Sequence, residues 1–156
     1  MSDQNCWLMK SEPYVYSIDD LEKDSTTHWE GVRNYKARNY MKNEMQIGDW
    51  ILFYHSNAEP PGVAGIAKVC KLAYPDYFAF DPSNKYFDPK SSKENPTWYM
   101  VDIEFIEKFP HFLSLGELRE NEDLDGIMVT KRGVRLSVQP VGYKHFEIIK
   151  SLGRNE

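Results

Sequence analysis

The chain has 156 residues and a formal net charge of −5 at pH 7, so it is long enough to bury a core in one domain and too acidic for general phosphate-backbone binding by counterion release. Charged residues reach 28% and aromatics 14%, which excludes a disordered chain. No stretch approaches 18 apolar residues, and Met1-Ser2-Asp3-Gln4-Asn5 has no basic region ahead of an apolar run, so neither a membrane span nor a secretion signal is expected.

The elements follow in chain order. Cys6 to Lys10 is a short apolar run ended by Ser-Glu-Pro13, and it reads as a buried strand. Ser17-Ile-Asp-Asp20 has capping-box spacing with Asp in the usual Glu position, which predicts a helix over 18–23. Asn34 is placed to cap a helix running to Met45 and closed by Gly48. Trp50 to Ser56 and Val63 to Leu72 read as strands joined by the Pro60-Pro61-Gly62 turn, the second lightened by Gly65 and Ala67. Residues 74–97 hold four prolines and predict an irregular excursion with one short strand. Trp98 to Phe109 alternates as a strand, Leu115 to Leu124 reads as a short helix, and Val134 to Val138 as a strand. Tyr143 to Leu152 reads as a closing helix with Phe146, Ile149 and Leu152 inward and Gly153 as its stop. The mixture predicts an α+β domain, 1–156, on a curved sheet or small barrel.

Cys6 and Cys70 lie far apart, and no Cys/His cluster has zinc spacing, so a reducing compartment, no metal and no cofactor are expected. A Gly-rich phosphate loop, a GxSxG elbow and an HExxH helix are all absent from the sequence. Each of the four histidines, His28, His55, His111 and His145, stands without an obvious nucleophile or metal partner, and His55 alone is kept as a candidate. Asp81 and Asp88 each precede proline and read as turns. The informative constellation is polar and aromatic. Trp29 stands beside Gly31, which permits close backbone approach, and is followed by Arg33, Asn34 and Tyr35. Tyr54-His-Ser-Asn57 ends an apolar strand with three hydrogen-bonding side chains. Such a set fits a planar base, stacked on one aromatic and read along its rim, and it equally fits an aromatic core beneath a capped turn. Pattern alone leaves both open.

The order of motifs resembles the EVE family. The likeness is carried by Trp7-Leu-Met-Lys-Ser-Glu-Pro13, by Trp29-Glu-Gly-Val-Arg-Asn-Tyr-Lys-Ala-Arg-Asn39 and by Phe53-Tyr-His-Ser-Asn57. It continues in Gly62-Val-Ala-Gly-Ile-Ala67, Phe87-Asp-Pro-Lys90, Trp98 and Arg135-Leu-Ser-Val-Gln-Pro-Val141. That resemblance implies a PUA-like fold, a curved β-barrel flanked by short helices and related to the YTH domains that read methylated adenine. It further implies a reader of modified bases, above all modified cytosine in DNA. By position, Trp29 resembles the first cage tryptophan of the YTH pocket and Asn34 its base-contacting asparagine. Lys10 and Ser11 resemble its floor and Phe53 to Asn57 its strand end, with Tyr35 and Trp98 as further aromatics.

The expectation is therefore a monomeric binding module without catalytic residues, whose partner is DNA, RNA or a free nucleoside and not a membrane. It would be cytoplasmic in a bacterium and nuclear in a eukaryote. Its pocket would hold Lys10, Ser11, Trp29, Gly31, Asn34, Tyr35, Tyr54, His55, Ser56, Asn57 and Trp98. Arg33, Lys36, Arg38, Lys131, Arg132 and Arg135 would gather at its mouth for phosphates. The alternatives are a glycosylase-like enzyme using Asp49, Asp76 or His55, and a scaffold holding an unrelated planar ligand.

Overall fold

A computed structural model describes residues 5–156; the expectation drawn from the first four residues lies outside that range. Six strands form one sheet in the order β2-β5-β4-β3-β1-β6. They are β1 (Cys6–Ser11), β2 (Thr26–His28), β3 (Trp50–His55), β4 (Gly62–Pro75), β5 (Tyr99–Ser114) and β6 (Val138–Val141). The helices are α1 (Ile18–Asp24), α2 (Tyr35–Asn39), α3 (Leu115–Glu120) and α4 (Tyr143–Gly153). The fold is thus mixed α+β, and the strands expected at Cys6–Lys10, Trp50–Ser56, Val63–Leu72 and Trp98–Phe109 share the sheet, with β3 and β4 adjacent and antiparallel. Only β1 and β3 run parallel, from Cys6↔Trp50 to Ser11↔His55.

Both faces of the sheet are covered, which follows from the period of two along each strand. Trp7, Met9, Ile51 and Phe53 point into a core closed by α1 through Ile18 and Leu21. Cys6, Leu8, Leu52 and Tyr54 point into a second core closed by α4 through Phe146 and Ile149. The long strands β4 and β5 change register four times, and such bulges bend and twist the sheet. At one of them Gly65 lets the strands close up, since a Cβ there would lie 2.3 Å from the carbonyl oxygen of Glu107.

One cap forms as expected, and several other elements differ for identifiable reasons. The Ser17 capping box forms with Asp20 in place of Glu, Oγ accepting the Asp20 N–H and the carboxylate accepting the Ser17 N–H. The helix begun at Asn34 is regular only to Asn39, then widens into a π turn over Tyr40–Glu44. That turn keeps Met41 and Met45 in the same core as Ala37. The helix after Ser114 stops at Glu120 because the Asn121 side chain caps a separate 3₁₀ turn, Glu122–Leu124. The last strand lies at Val138–Val141, not 134–138, where pairing with β1 accepts Pro140 at the sheet edge. The excursion before Trp98 carries a 3₁₀ turn, Tyr77–Phe80, in place of a strand. In α4, Leu152 is exposed and Gly153 instead packs inward, against Phe109.

Replacing Gly65 by Ala should overpack the β4–β5 junction. We expect urea unfolding to show a loss of about 1–3 kcal/mol.

Candidate functional site

The sheet's register carries three serines to one place. Ser11 ends β1; Ser56 follows β3 and donates its N–H to the Ser11 carbonyl at 2.9 Å; the carbonyl of Ser137, just before β6, accepts the Lys10 N–H at 2.8 Å. These neighbouring strand ends open on a cavity of about 580 Å³, within the range of small-ligand pockets. Its far wall comes from the segment after β2. Trp29 follows that strand with its N–H donated to the Val101 carbonyl at 2.8 Å, and its indole stands edge-to-face on Phe53 at 5.5 Å. Gly31 turns with φ +84°, and the ring of Tyr86 occupies the space where a Cβ would stand. Only glycine takes that conformation and that neighbour together.

Of the expected pocket residues, Lys10, Ser11, Trp29, Gly31 and Ser56 border this cavity, and Arg135 of the expected phosphate set joins them. Trp29 is 7% exposed, so its indole is largely buried, not the open ring anticipated for it. Among the described residues its indole N–H meets no acceptor. The other expected residues do different work. Asn34 is spent as a cap, its Oδ1 accepting the Ala37 N–H at 3.0 Å. Tyr54 is buried in the second core because the strand period turns it away from Phe53. Asn57 adopts a left-handed turn conformation and donates its amide to Glu12. Tyr35 and Trp98 stack on each other at 5.0 Å, outside the cavity lining. Arg33 is not a free phosphate ligand: it pairs with Asp76 at 2.9 Å and donates to the Tyr86 carbonyl at 2.8 Å. Arg38 donates to the Thr97 carbonyl and to Asn39, while Lys36, Lys131 and Arg132 are exposed and do not border the cavity.

Sequence reasoning missed Tyr86 and Lys85, which enter from the irregular segment before Trp98, and also Ser137 and His28. An aromatic beside a lysine in a long turn-rich loop was the available signal for the first two. His28 Nδ1 lies 3.2 Å from Glu30 Oε2 but without hydrogen-bond geometry, leaving it buried and unpaired. Lys10, Lys85 and Arg135 make the wall basic, although Glu12 and Glu30 also border it. Burial holds the Lys10 ammonium below its ordinary value, and pushes the Tyr16 hydroxyl up to about 12.

The three groups considered for acid–base chemistry lie elsewhere. Asp49 is fully buried and accepts from the Trp7 indole, the Gln46 N–H and the Asn5 N–H. Asp76 is fully buried and accepts from Arg33 and from the Gly31 and Phe78 N–H groups. His55 Nε2 accepts the Ile18 N–H at 3.1 Å, so its ring is neutral there. Burial lowers the His55 pKa, and the unfolded chain titrates near about 6.5. The stability this acceptor provides is therefore complete above about pH 6.5 and lost as pH falls through it toward the folded pKa. Urea unfolding at about pH 5.5 should show lower stability than at about pH 7.5. His55→Gln, which keeps an acceptor that does not titrate, should shrink that difference.

A bent sheet packed on both faces, with a polar and aromatic cavity where β3 and β1 end and β6 begins, defines a small α+β domain whose strand interiors serve packing and whose open space lies at the strand ends. The chain belongs to the EVE domain family, whose model matches residues 5–152. It is 39% identical to human thymocyte nuclear protein 1 over 168 residues, covering 96% of this chain and 74% of that protein. Among solved structures, it superposes with a TM-score of 0.93 on a hypothetical protein from Leishmania major, 46% identical and covering 98% of this chain and 96% of that one. It superposes with a TM-score of 0.90 on human THYN1 protein in complex with 5-methylcytosine containing DNA, 39% identical and covering 98% and 99%.

Proposed function

We propose that the domain is a DNA-binding reader that takes one modified cytosine, turned out of the helix, into the cavity at the ends of β3, β1 and β6. The observation that carries this reading is the cavity itself, with the ring of Tyr86 and the largely buried Trp29 in its wall and Ser11, Ser56 and Ser137 in its lining. The human relative bound to 5-methylcytosine DNA supports the choice of base. Extrusion costs a few kcal/mol, which one stacking contact of about 1–3 kcal/mol and two or three hydrogen bonds offset. Val15 and Val32 border the cavity and are suited to a methyl group. Burying one methyl contributes about 0.8 kcal/mol, so methylation of the base should tighten binding about fourfold. Lys85 and Arg135 serve the flanking phosphates. The domain holds the base and does no chemistry on it, since Asp49, Asp76 and His55 are committed to structural hydrogen bonds outside the cavity lining.

The test is a titration of labelled DNA and RNA oligonucleotides carrying cytosine or 5-methylcytosine, with product analysis of the same samples. We expect tightest binding to methylated DNA and recovery of every oligonucleotide unaltered. Equal affinity for methylated and unmethylated DNA, tighter binding to RNA, or release of the base by turnover would each refute part of the reading.

The walls are tested separately. Tyr86→Ala, at a half-buried loop position, should weaken methylated DNA about five- to 150-fold while the domain stays folded. Trp29→Ala is a poor probe, because removing so buried an indole should cost about 3–5 kcal/mol of stability. Trp29→Phe keeps the packing and removes the N–H, and a loss of about 0.5–1.5 kcal/mol in binding is expected. Arg135→Ala should weaken all sequences alike and lower the salt slope by about one unit.

A further inference from the structure

Outside the cavity the molecule carries a ladder of alternating aromatic rings and guanidinium groups. Tyr86 stands at the cavity wall. The Arg33 guanidinium is 5.4 Å from the Tyr86 ring and 5.4 Å from the Trp98 ring. Trp98 stacks on Tyr35 at 5.0 Å with an interplanar angle of 28°, and Arg38 lies 4.9 Å from the Tyr35 ring. The ladder is rigid along its length. The Trp98 indole donates to Asp88 at 2.6 Å, Arg33 is held by Asp76, and Arg38 donates to the Thr97 carbonyl at 2.8 Å.

Its outer end is open. Tyr35 is 60% exposed although its ring is locked flat against Trp98. An exposed aromatic held in one orientation has lost its rotamer entropy in advance, which favours a stacking partner. The charges around it select that partner. Lys36, Arg38 and Lys42 stand on the same segment, and none of them pairs with an acid among the described residues. An exposed flat face on a segment whose cations have no acid partner fits a base that carries phosphates, and stacking tolerates any base because each has a π-face.

We propose that Tyr35 is the docking face for a nucleotide flanking the base in the cavity, on the same strand, with Lys36 and Lys42 taking its phosphates. This rests on the reading of the cavity as a base site and adds a second contact, which makes the ligand a strand and not a free nucleoside. Tyr35 then contributes to affinity irrespective of sequence, while the cavity decides modification.

The experiment is a cycle between protein and ligand. Single-stranded oligonucleotides carrying one 5-methylcytosine are prepared with ordinary neighbours and with abasic neighbours, and each is titrated against the wild type, Tyr35→Ala and Tyr35→Phe. We expect Tyr35→Ala to lose about five- to 150-fold on the ordinary oligonucleotide, and Tyr35→Phe to bind as the wild type does. Abasic neighbours should cost the wild type a similar factor and cost Tyr35→Ala little more, because the two changes remove one contact. Unchanged affinity of Tyr35→Ala for the ordinary oligonucleotide, or an abasic penalty as large in Tyr35→Ala as in the wild type, overturns the proposal. Tyr35 dependence that persists while affinity ignores both the methyl group and Tyr86→Ala sinks the cavity reading and leaves the Tyr35 contact standing.

Discussion

The ion pair between Arg33 and Asp76 holds together the parts of this molecule that are not held by the sheet. Asp76 sits at the end of β4 with no solvent exposure, and its two oxygens accept from Arg33 and from the Gly31 and Phe78 N–H groups. Arg33 in turn grips the Tyr86 carbonyl and lies between the Tyr86 and Trp98 rings. One buried charge thus joins the segment after β2, the end of β4 and the long irregular stretch before β5. Removing one member of such a pair leaves the other uncompensated, at about 3–5 kcal/mol. Here the loss would also release Tyr86 from Gly31, and with it one wall of the cavity.

The sheet explains where a ligand has room. In the inner strands β1 and β3 the apolar side chains are committed to one of two cores, and the cavity with its polar lining lies where these strands stop. Pairing of β3, β1 and β6 brings three such ends level, which is why serines far apart in the chain meet. At the opposite end of β3, Asp49 accepts from the Trp7 indole and the Asn5 N–H and so holds the start of β1 in place. A carboxylate saturated in this way is a brace for the strands.

An acidic total of −5 is compatible with a DNA ligand because the charges are segregated. Lys10, Lys85 and Arg135 border the cavity, and Lys36, Arg38 and Lys42 follow along the segment of Tyr35. The acids concentrate on α1 and from Glu117 to Asp125. At physiological salt the screening length is about 8 Å, so a phosphate responds to the nearby cations more than to distant carboxylates. The association should then depend on the local patch and remain sensitive to salt.

The sequence by itself determined the elements whose signals are local. Apolar runs at Cys6–Lys10 and Trp50–Ser56 and alternation in Trp98–Phe109 marked three strands, and the Ser17 box and Asn34 marked two helix starts, because caps and periodicity act within a few residues. Motif order was enough for the family, and with it Lys10, Ser11, Trp29, Gly31 and Ser56 were singled out. What only the tertiary structure decided were the long-range partners. Asn34 and Arg33 looked available because their partners, the Ala37 N–H and Asp76, are chosen by the folded backbone and by a residue 43 positions away. Tyr35 and Trp98 looked like cavity walls, yet the way the irregular stretch folds back stacks them outside it. Tyr86 carried only the weak signal of an aromatic beside a lysine in a turn-rich loop, and Ser137 carried none. They reach the cavity through a buried salt bridge and a strand register, and both are properties of a folded chain that no window of sequence contains.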